Sequence, residues 1–485
     1  MRTSRLLLGL CWILLAACSS DSGRETTPVA VTRPRPDVLV ISVDCMRADH
    51  VGAYGYDRDT TPAIDSIARD GIRFDRAYAQ ANWTKPSVAS LMTGLYVRNH
   101  GVVVGTDWFD DEGVHQVGRD SFPLPEDLPT MAESFRDDGY RTAGFVENSH
   151  IVPEMGFGRG FTTYEKAKPA ADHLAAWLSD LAEDESFFAY LHLIGPHDPY
   201  DGGLGSRFDE FYRTRFGRFD SDIDWKDLSY KKKIKSYSEQ DLMQARALYD
   251  AELHFFDQEQ IAPLLEWLRA NGRYRDTLVV VTADHGEELF DHGRWAHGET
   301  LYNAVARIPL IIKLPSSRAG RRAPGSSVDE LVEQIDLFPT LCAVAGCAVP
   351  DGPDGRSFAS LLLGERDEDA NAYAVTEFGK GVRDQVLAAA IVQGDEKWVE
   401  FYPASSGPIL KGPRAPKRDP SPASVVLDAH TDEVRARVGH DVAHPMRDLL
   451  EDALGASPAI RHPLIAPVGH SELEIEELRA LGYVE

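Results

Sequence analysis

Thr84 stands two residues before Pro86 in the run from Asn82 to Gly94, a spacing that puts a hydroxyl at the mouth of a short helix. Proline suits a first helical turn, where its missing N–H has no partner to lose, so the run predicts a helix from Ser87 to Thr93 closed by Gly94. The free N–H groups and positive dipole end of such a helix bind tetrahedral oxyanions, so a nucleophile there meets an anionic ester already oriented. A capped surface helix is the competing reading of this stretch by itself. Elsewhere, Asp44, His192, His197 and the pair Asp284 and His285 carry metal-type or acid/base side chains, with Asp291, His292 and His297 close behind. Singly, such residues cap turns or sit in solvated loops. Gathered together, they offer the oxygen and imidazole donors a divalent cation requires, and Asp44, Asp284 and His285 are the candidate metal ligands beside Thr84.

Only the fold can gather them. Residues 37–43, Asp-Val-Leu-Val-Ile-Ser-Val, form a near-continuous apolar run of strand length, the pattern of a parallel strand covered on both faces, and the run ends at Asp44. Further strands are predicted at 141–146, 187–193, 277–282 and 308–314. Helices are predicted at 62–70, at 129–138 and over 245–271, where Pro263 would kink or split the last, and over 328–345, where Pro339 would bend or break it. Strands alternating with helices imply a doubly wound α/β domain, and in open parallel sheets ligands bind beyond the carboxyl ends of the strands. Asp44, His192 and Asp284 all fall at such ends. After Gly346 the chain is loop-rich, with short strands at 373–377, 386–392 and 397–402, which suggests a smaller C-terminal α+β domain. The organisation expected is thus a catalytic domain over 37–345 and a C-terminal subdomain over 346–485. Residues 208–237, with the basic Lys231 to Lys233, read as a surface insertion over the site or a solvated loop, and 403–422 as an exposed Pro-rich excursion.

With 485 residues, 43 % of them hydrophobic, the chain can bury a large core. Its formal charge of −26 argues against a nucleic-acid partner. Arg2 and Arg5 followed by an apolar run to Ala17 read as a signal peptide over 1–17, too short to span a bilayer. Leu15-Ala-Ala-Cys18 resembles the bacterial lipoprotein processing box, which would make Cys18 the lipidated first residue, with an ordinary secreted leader as the alternative. Residues 18–36, rich in Ser, Thr, Pro and Arg, then read as a tether. The expected location is the bacterial cell envelope, and the absence of Asp after Cys18 favours the outer membrane of a Gram-negative host. Cys342 and Cys347 are five residues apart and could bridge in an oxidising compartment or remain buried thiols.

Several motifs in order resemble the sulfatase branch of the alkaline phosphatase superfamily: Asp44-Cys-Met-Arg-Ala-Asp-His-Val-Gly-Ala-Tyr-Gly55, Pro86-Ser-Val-Ala-Ser-Leu-Met-Thr-Gly94, Pro196-His-Asp-Pro-Tyr200, and Thr282-Ala-Asp-His-Gly-Glu287 with Ala296-His-Gly298. The end, Glu477-Leu-Arg-Ala-Leu-Gly-Tyr483, is similar to the closing segment of many bacterial members. The resemblance implies an alkaline-phosphatase-like α/β sandwich with a largely parallel central sheet. It implies one divalent metal ion on Asp44, Asp284 and His285, Thr84 in the nucleophile position, and His197 and His297 against the substrate anion or leaving group. Two positions depart from the pattern. Family members that convert Cys or Ser to formylglycine carry an Arg four residues later, and here those positions are Thr84 and Val88. Cys45 stands where the second Asp of the usual pair would be, which removes a hard ligand and turns the expectation from calcium toward manganese or zinc.

Threonine in that slot resembles the phosphodiesterase and phosphoglycerol or phosphoethanolamine transferase branches. The expected activity is therefore metal-dependent hydrolysis or transfer of a phosphate or sulfate ester, with phosphodiester or phosphotransfer chemistry favoured. A sulfuric ester hydrolase without formylglycine and a non-catalytic, anion-binding lipoprotein are the alternatives. The anchor is directly testable: the wild-type protein should sediment with membranes and Cys18→Ser should not, and identical fractionation of the two would contradict lipidation at Cys18.

Overall fold

The computed structural model describes residues 35–461 apart from 106–107, 110–114, 117–121, 199, 201–237, 319, 366–370, 379, 383–384, 387, 403–423, 439–442 and 456–460. The leader, the tether up to residue 34, Lys231 to Lys233, the 403–422 excursion and the closing segment therefore lie outside the described residues. Among the described residues no helix is long and apolar enough to cross a membrane.

Eight strands make the central sheet. In chain order they are β1 (Asp37–Val43), β2 (Ile72–Tyr78), β3 (Arg141–Val146), β4 (Thr163–Lys166), β5 (Phe187–Leu193), β6 (Thr277–Thr282), β7 (Arg307–Lys313) and β8 (Ser326–Glu333), arranged across the sheet as β8-β2-β7-β6-β1-β5-β3-β4. All lie parallel except β7, which runs antiparallel to both β2 and β6. Every residue of β1, β5 and β6 is buried, which is why these strands read as unbroken apolar runs rather than alternating ones. Helices α1 (Pro62–Asp70), α4 (Ala170–Ser179) and α6 (Ala262–Ala270) pack together on the sheet, while α2 (Thr84–Thr93), α3 (Met131–Asp137) and α7 (Leu337–Ala345) form a second group. A separate antiparallel sheet follows: β9 (Ala374–Glu377), β10 (Ala388–Gln393), β11 (Glu396–Phe401), β12 (Ser424–Asp428) and β13 (Val434–Val438) pair in sequence order. Met446, Leu450 and Leu454 of α8 (Pro445–Leu454) close its core against Ile391 and Trp398.

The structure departs from the sequence reading in several places. The stretch read as one helix over 328–345 is strand β8, a turn at Gln334–Asp336 and then α7. A register shift between Val328 and Leu331 breaks the alternation that would have marked the strand. Pro339 is the third residue of α7, a first-turn position where proline disturbs nothing. The 245–271 helix begins earlier, at a capping box on Ser238, and divides into α5 (Glu239–Phe256), a π turn at Asp257–Ile261 and α6, whose second residue is Pro263. Strand β2 escaped notice because Arg73, Asp75 and Arg76 interrupt its apolar positions. Cys342 and Cys347 form a disulfide.

The π turn has a structural use. Thr61 makes no side-chain cap at the start of α1, and Asp257 caps it from across the fold, accepting from Ala63 N at 2.8 Å and Ile64 N at 2.9 Å. Burial, opposed by those N–H groups, pushes the Asp257 carboxyl up to about 7. The folded state thus holds a proton that the unfolded chain has released, so this group's stabilisation is present below about pH 4 and lost as pH rises through about 7. Asp257→Ala should cost about 2–4 kcal/mol by orphaning two N–H groups. In denaturant titrations the advantage of wild type over Asp257→Asn should shrink across that pH range, and a constant difference would contradict the assignment.

Candidate active site

Four neighbouring parallel strands, β6, β1, β5 and β3, end side by side: Ser42 of β1 lies level with Thr282 of β6 and His192 of β5, and Val146 of β3 lies level with His192. The residues just past those ends are Asp284 and His285, Asp44, and Asn148, with His192 itself at the end of β5. Helix α2 begins at Thr84, three residues earlier than the sequence suggested, with Trp83 as a cap residue that makes no side-chain cap, and all ten of its residues are buried. Ser87 fastens this helix to the loop after β6, its Oγ 2.5 Å from the Asp284 carbonyl and 2.8 Å from Gln334 Oε1. Gly286 keeps that loop tight: a Cβ there would meet the Ala304 carbonyl oxygen at 2.0 Å.

Thr84 Oγ1, Asp44 Oδ1 and Oδ2, Asp284 Oδ2 and His285 Nε2 converge with Thr84–Asp44, Thr84–His285, Asp44–His285 and Asp284–His285 separations of 3.3–3.6 Å. Those distances are long for hydrogen bonds, yet they match the ~3.4 Å edge of a tetrahedron with a cation ~2.1 Å from each corner. The outer atom of each donor is engaged, which aims the inner one. His285 Nδ1 lies 2.8 Å from the Gly286 carbonyl, so it carries the proton and Nε2 presents its lone pair inward. Asp284 Oδ1 accepts from His285 N at 2.8 Å. Asn148 Oδ1 accepts from His150 N at 2.8 Å, which fixes the amide so that Nδ2 donates to Asp44 Oδ2 at 2.8 Å. Asp44, Thr84, Asp284, His285 and His192 are completely buried. Burial and the neighbouring Asp284 charge push the Asp44 carboxyl well up. For Asp284 burial acts in the same direction, but the hydrogen bonds it accepts from His192 Nε2 and His285 N help to hold the group below the usual carboxylate range. Two buried carboxylates, an inward-facing imidazole nitrogen and a hydroxyl fit a divalent cation, and His192 brings a further ligand atom within 4.8 Å of Asp44 and Asp284.

His197 and His297 lie beside this cage, their ring centres 5.0 Å apart. His197 Nδ1 is hydrogen-bonded to the Asp198 carbonyl, and burial, reinforced by His297, pushes the imidazolium down to about 3, so the ring is neutral. His297 Nδ1 is 3.3 Å from Glu287 Oε1 and 3.5 Å from Cys45 Sγ. Asp291 and His292 are elsewhere: Asp291 pairs with Arg47 at 2.5 Å, and His292 stacks on Tyr302 at 3.9 Å. Sequence reasoning missed Asn148, although its place just beyond β3 is the signal that marked the other strand-end residues. It also passed over Lys85, the buried neighbour of Thr84, whose amine burial pushes down to about 7.

The sequence model of the Sulfatase family matches residues 36–347, the whole central sheet and every cage residue. The chain belongs to the sulfatase family. A second model, N-sulphoglucosamine sulphohydrolase, C-terminal, matches residues 290–410. The chain is 25% identical over 418 residues to a Delta 4,5-hexuronate-2-O-sulfatase of Bacteroides thetaiotaomicron, covering 79% of this chain and 83% of that one. It is 26% identical to a multifunctional alkaline phosphatase superfamily protein of Trinickia caryophylli, over 71% of this chain and 80% of that one. Its fold is shared with the crystal structure of the phosphonate monoester hydrolase of Agrobacterium radiobacter at a TM-score of 0.62 and 21% identity, covering 82% of this chain and 90% of that one. This sulfatase-family protein is thus an ester hydrolase of the alkaline phosphatase superfamily, with the α/β fold and largely parallel sheet expected of it.

The cage makes a direct prediction about metal. After loading with Mn²⁺ or Zn²⁺ and desalting, Asp284→Ala and His285→Ala proteins should contain less metal than wild type by elemental analysis, since each removes an inward-facing donor from a dry site. Unchanged content in both would contradict the cage.

Proposed function

We propose that this protein hydrolyses or transfers a phosphate ester with Thr84 as nucleophile, phosphodiester or phosphotransfer chemistry being favoured over sulfate release. The observation that carries this reading is Thr84 Oγ1, held 3.3 Å from His285 Nε2 and 3.4 Å from Asp44 Oδ2 at the first turn of α2. A cation on Asp44, Asp284 and His285 would lower the pKa of the hydroxyl and neutralise the bound anion. The chain's own groups do the rest. Asp44 Oδ2 is in line to accept the Thr84 proton, and Asn148 Nδ2, 3.5 Å from Thr84 Oγ1, keeps that hydroxyl turned into the cage. The first-turn N–H groups of α2 offer themselves to the ester oxygens. Attack forms a Thr84 Oγ–phosphorus bond as the bond to the leaving alkoxide breaks, and water or an acceptor alcohol then releases the phosphoryl group. His197, neutral with its Nδ1–H committed to Asp198, brings an acceptor nitrogen rather than a positive charge to this wall.

A threonine cannot become the hydrated aldehyde on which formylglycine chemistry depends, and this favours phosphorus over sulfur. The name of the hexuronate sulfatase relative favours a sulfated sugar, so a sulfate ester is the second reading. We also infer a location in the cell envelope through Cys18. The Cys342–Cys347 disulfide supports an oxidising compartment.

Turnover of nitrophenyl phosphate, bis-nitrophenyl phosphate and nitrophenyl sulfate with Mn²⁺ or Zn²⁺ separates the two readings. Thr84→Ala should fold, bind metal and lose roughly three or more orders of magnitude in kcat, while Thr84→Ser keeps part of it. Near-normal turnover in Thr84→Ala would contradict the proposal.

A further inference from the structure

Behind the cage, in the interior of the sheet, three fully buried polar atoms have no hydrogen-bond partner among the described residues: His192 Nδ1, Tyr190 Oη and Ser42 Oγ. The register puts them together. Ser42 of β1 lies level with His192 of β5, and Tyr190 stands two residues before His192, so all three side chains leave the same face of this parallel pair. Phe188, two residues further back on that face, stacks on Phe135 of α3 with ring centres 4.3 Å apart, so a helix covers the row. The Tyr190 and His192 rings are 6.2 Å apart. Burial, reinforced by Tyr164 and by Asp284 and Asp44, pushes the Tyr190 phenol well up against the pull of the neighbouring Ser42 hydroxyl, so Tyr190 keeps its O–H as a donor.

Neighbouring hydroxyls on the same face are already committed. Tyr164 of β4, separated from Tyr190 by Gly144 of β3, donates to the Ile151 carbonyl at 2.6 Å, and Thr282 of β6, level with Ser42, donates to the Ala283 carbonyl at 3.4 Å. His192 Nε2 faces the Asp284 carboxylate at 3.5 Å, so it carries the ring proton and Nδ1 is left as a lone pair on the other side of the ring. One acceptor and two donors thus remain on one dry face. A buried water makes about three hydrogen bonds to such groups, and a single one can accept from Tyr190 and Ser42 while donating to His192 Nδ1.

We propose that Ser42, Tyr190 and His192 enclose one internal water, and that through it Tyr190 and Ser42 act as positioning residues that keep the His192 proton on Nε2, against Asp284. Locked in that tautomer, the imidazole donates to Asp284 Oδ2 and steadies both the charge and the orientation of the carboxylate. With the proton on Nδ1, a lone pair would face the carboxylate and repel it. The inference rests on the reading of Asp44, Asp284 and His285 as metal ligands, and it makes His192 a support of Asp284 rather than a further ligand.

Two measurements on the chelator-stripped wild-type protein test this without metal. A high-resolution crystal structure should show one water within about 3.2 Å of His192 Nδ1, Tyr190 Oη and Ser42 Oγ. The imidazole nitrogen shifts in NMR should report His192 as the Nε2-protonated tautomer. In Tyr190→Phe the tautomer should become mixed, and Mn²⁺ affinity, read by competition with a chelator, should fall roughly ten-fold. Ser42→Ala should act in the same direction, and Ser42→Thr, which keeps the hydroxyl, should retain most of the wild-type affinity. Should these variants fail to fold, the two wild-type measurements still decide. A wild type with no water touching all three atoms, or with the proton on Nδ1, overturns the proposal, as do folded Tyr190→Phe and Ser42→Ala proteins with unchanged tautomer and affinity. A wild type that shows the water and the Nε2 proton yet takes up no Mn²⁺ would refute the cage reading and leave the water site standing.

Discussion

Two carboxylates held together in a water-free interior repel each other and pay the full cost of desolvation unless a positive charge stands between them. Asp44 and Asp284 are both completely buried, and each lies 3.5–3.6 Å from His285 Nε2, which presents a lone pair rather than a proton. A cation held in the cage would supply that charge. The rest of the molecule reads as the apparatus that keeps the cage in shape: unbroken apolar strands that fix where Asp44 and Asp284 emerge, a fully buried helix that fixes Thr84, and the His285 N–H, the Gly286 carbonyl and the Asn148 amide that hold the outer atoms of Asp284, His285 and Asp44.

The C-terminal sheet contributes to that rigidity from the other side. Glu333, at the end of β8, accepts from Val375 N at 2.7 Å, from Tyr96 Oη at 3.0 Å and from Gln80 Nε2 at 3.2 Å, joining the central sheet, the segment after α2 and the second sheet at one buried carboxyl. Arg98 and Glu377, both fully buried, pair at 2.5 Å nearby. Gln334, next in sequence, binds Ser87 and the Ala283 carbonyl, so this junction lies one residue from the contacts that seat the nucleophile helix. Removing one member of such a buried network leaves the others unsatisfied, which couples the smaller sheet energetically to the site.

Much of this was legible in the chain itself. Apolar runs fixed β1, β5 and β6 to the residue, and their ends pointed to Asp44, His192 and Asp284 before any coordinates. Thr84 stood out through Pro86, although the helix starts at Thr84 itself, directly after the extended Trp83, and the proline is its third residue. What the sequence concealed has physical reasons. Asn148 looks like any turn residue, since its role depends on His150 N orienting its amide. Strand β8 was hidden by its register shift, and the disulfide partners were ambiguous because five-residue spacing suits a bridge and two free thiols equally.

The central claim is that Thr84 forms the covalent bond to the transferred group. Its most direct measurement is rapid quenching of the metal-loaded protein during turnover of a phosphodiester, followed by proteolysis and mass spectrometry of the peptide spanning Asn82 to Gly94. The account predicts a phosphoryl adduct on Thr84 that appears within a single turnover and decays as product is released. Turnover at full rate with that peptide unmodified at every time point would contradict it, leaving water as the attacking group.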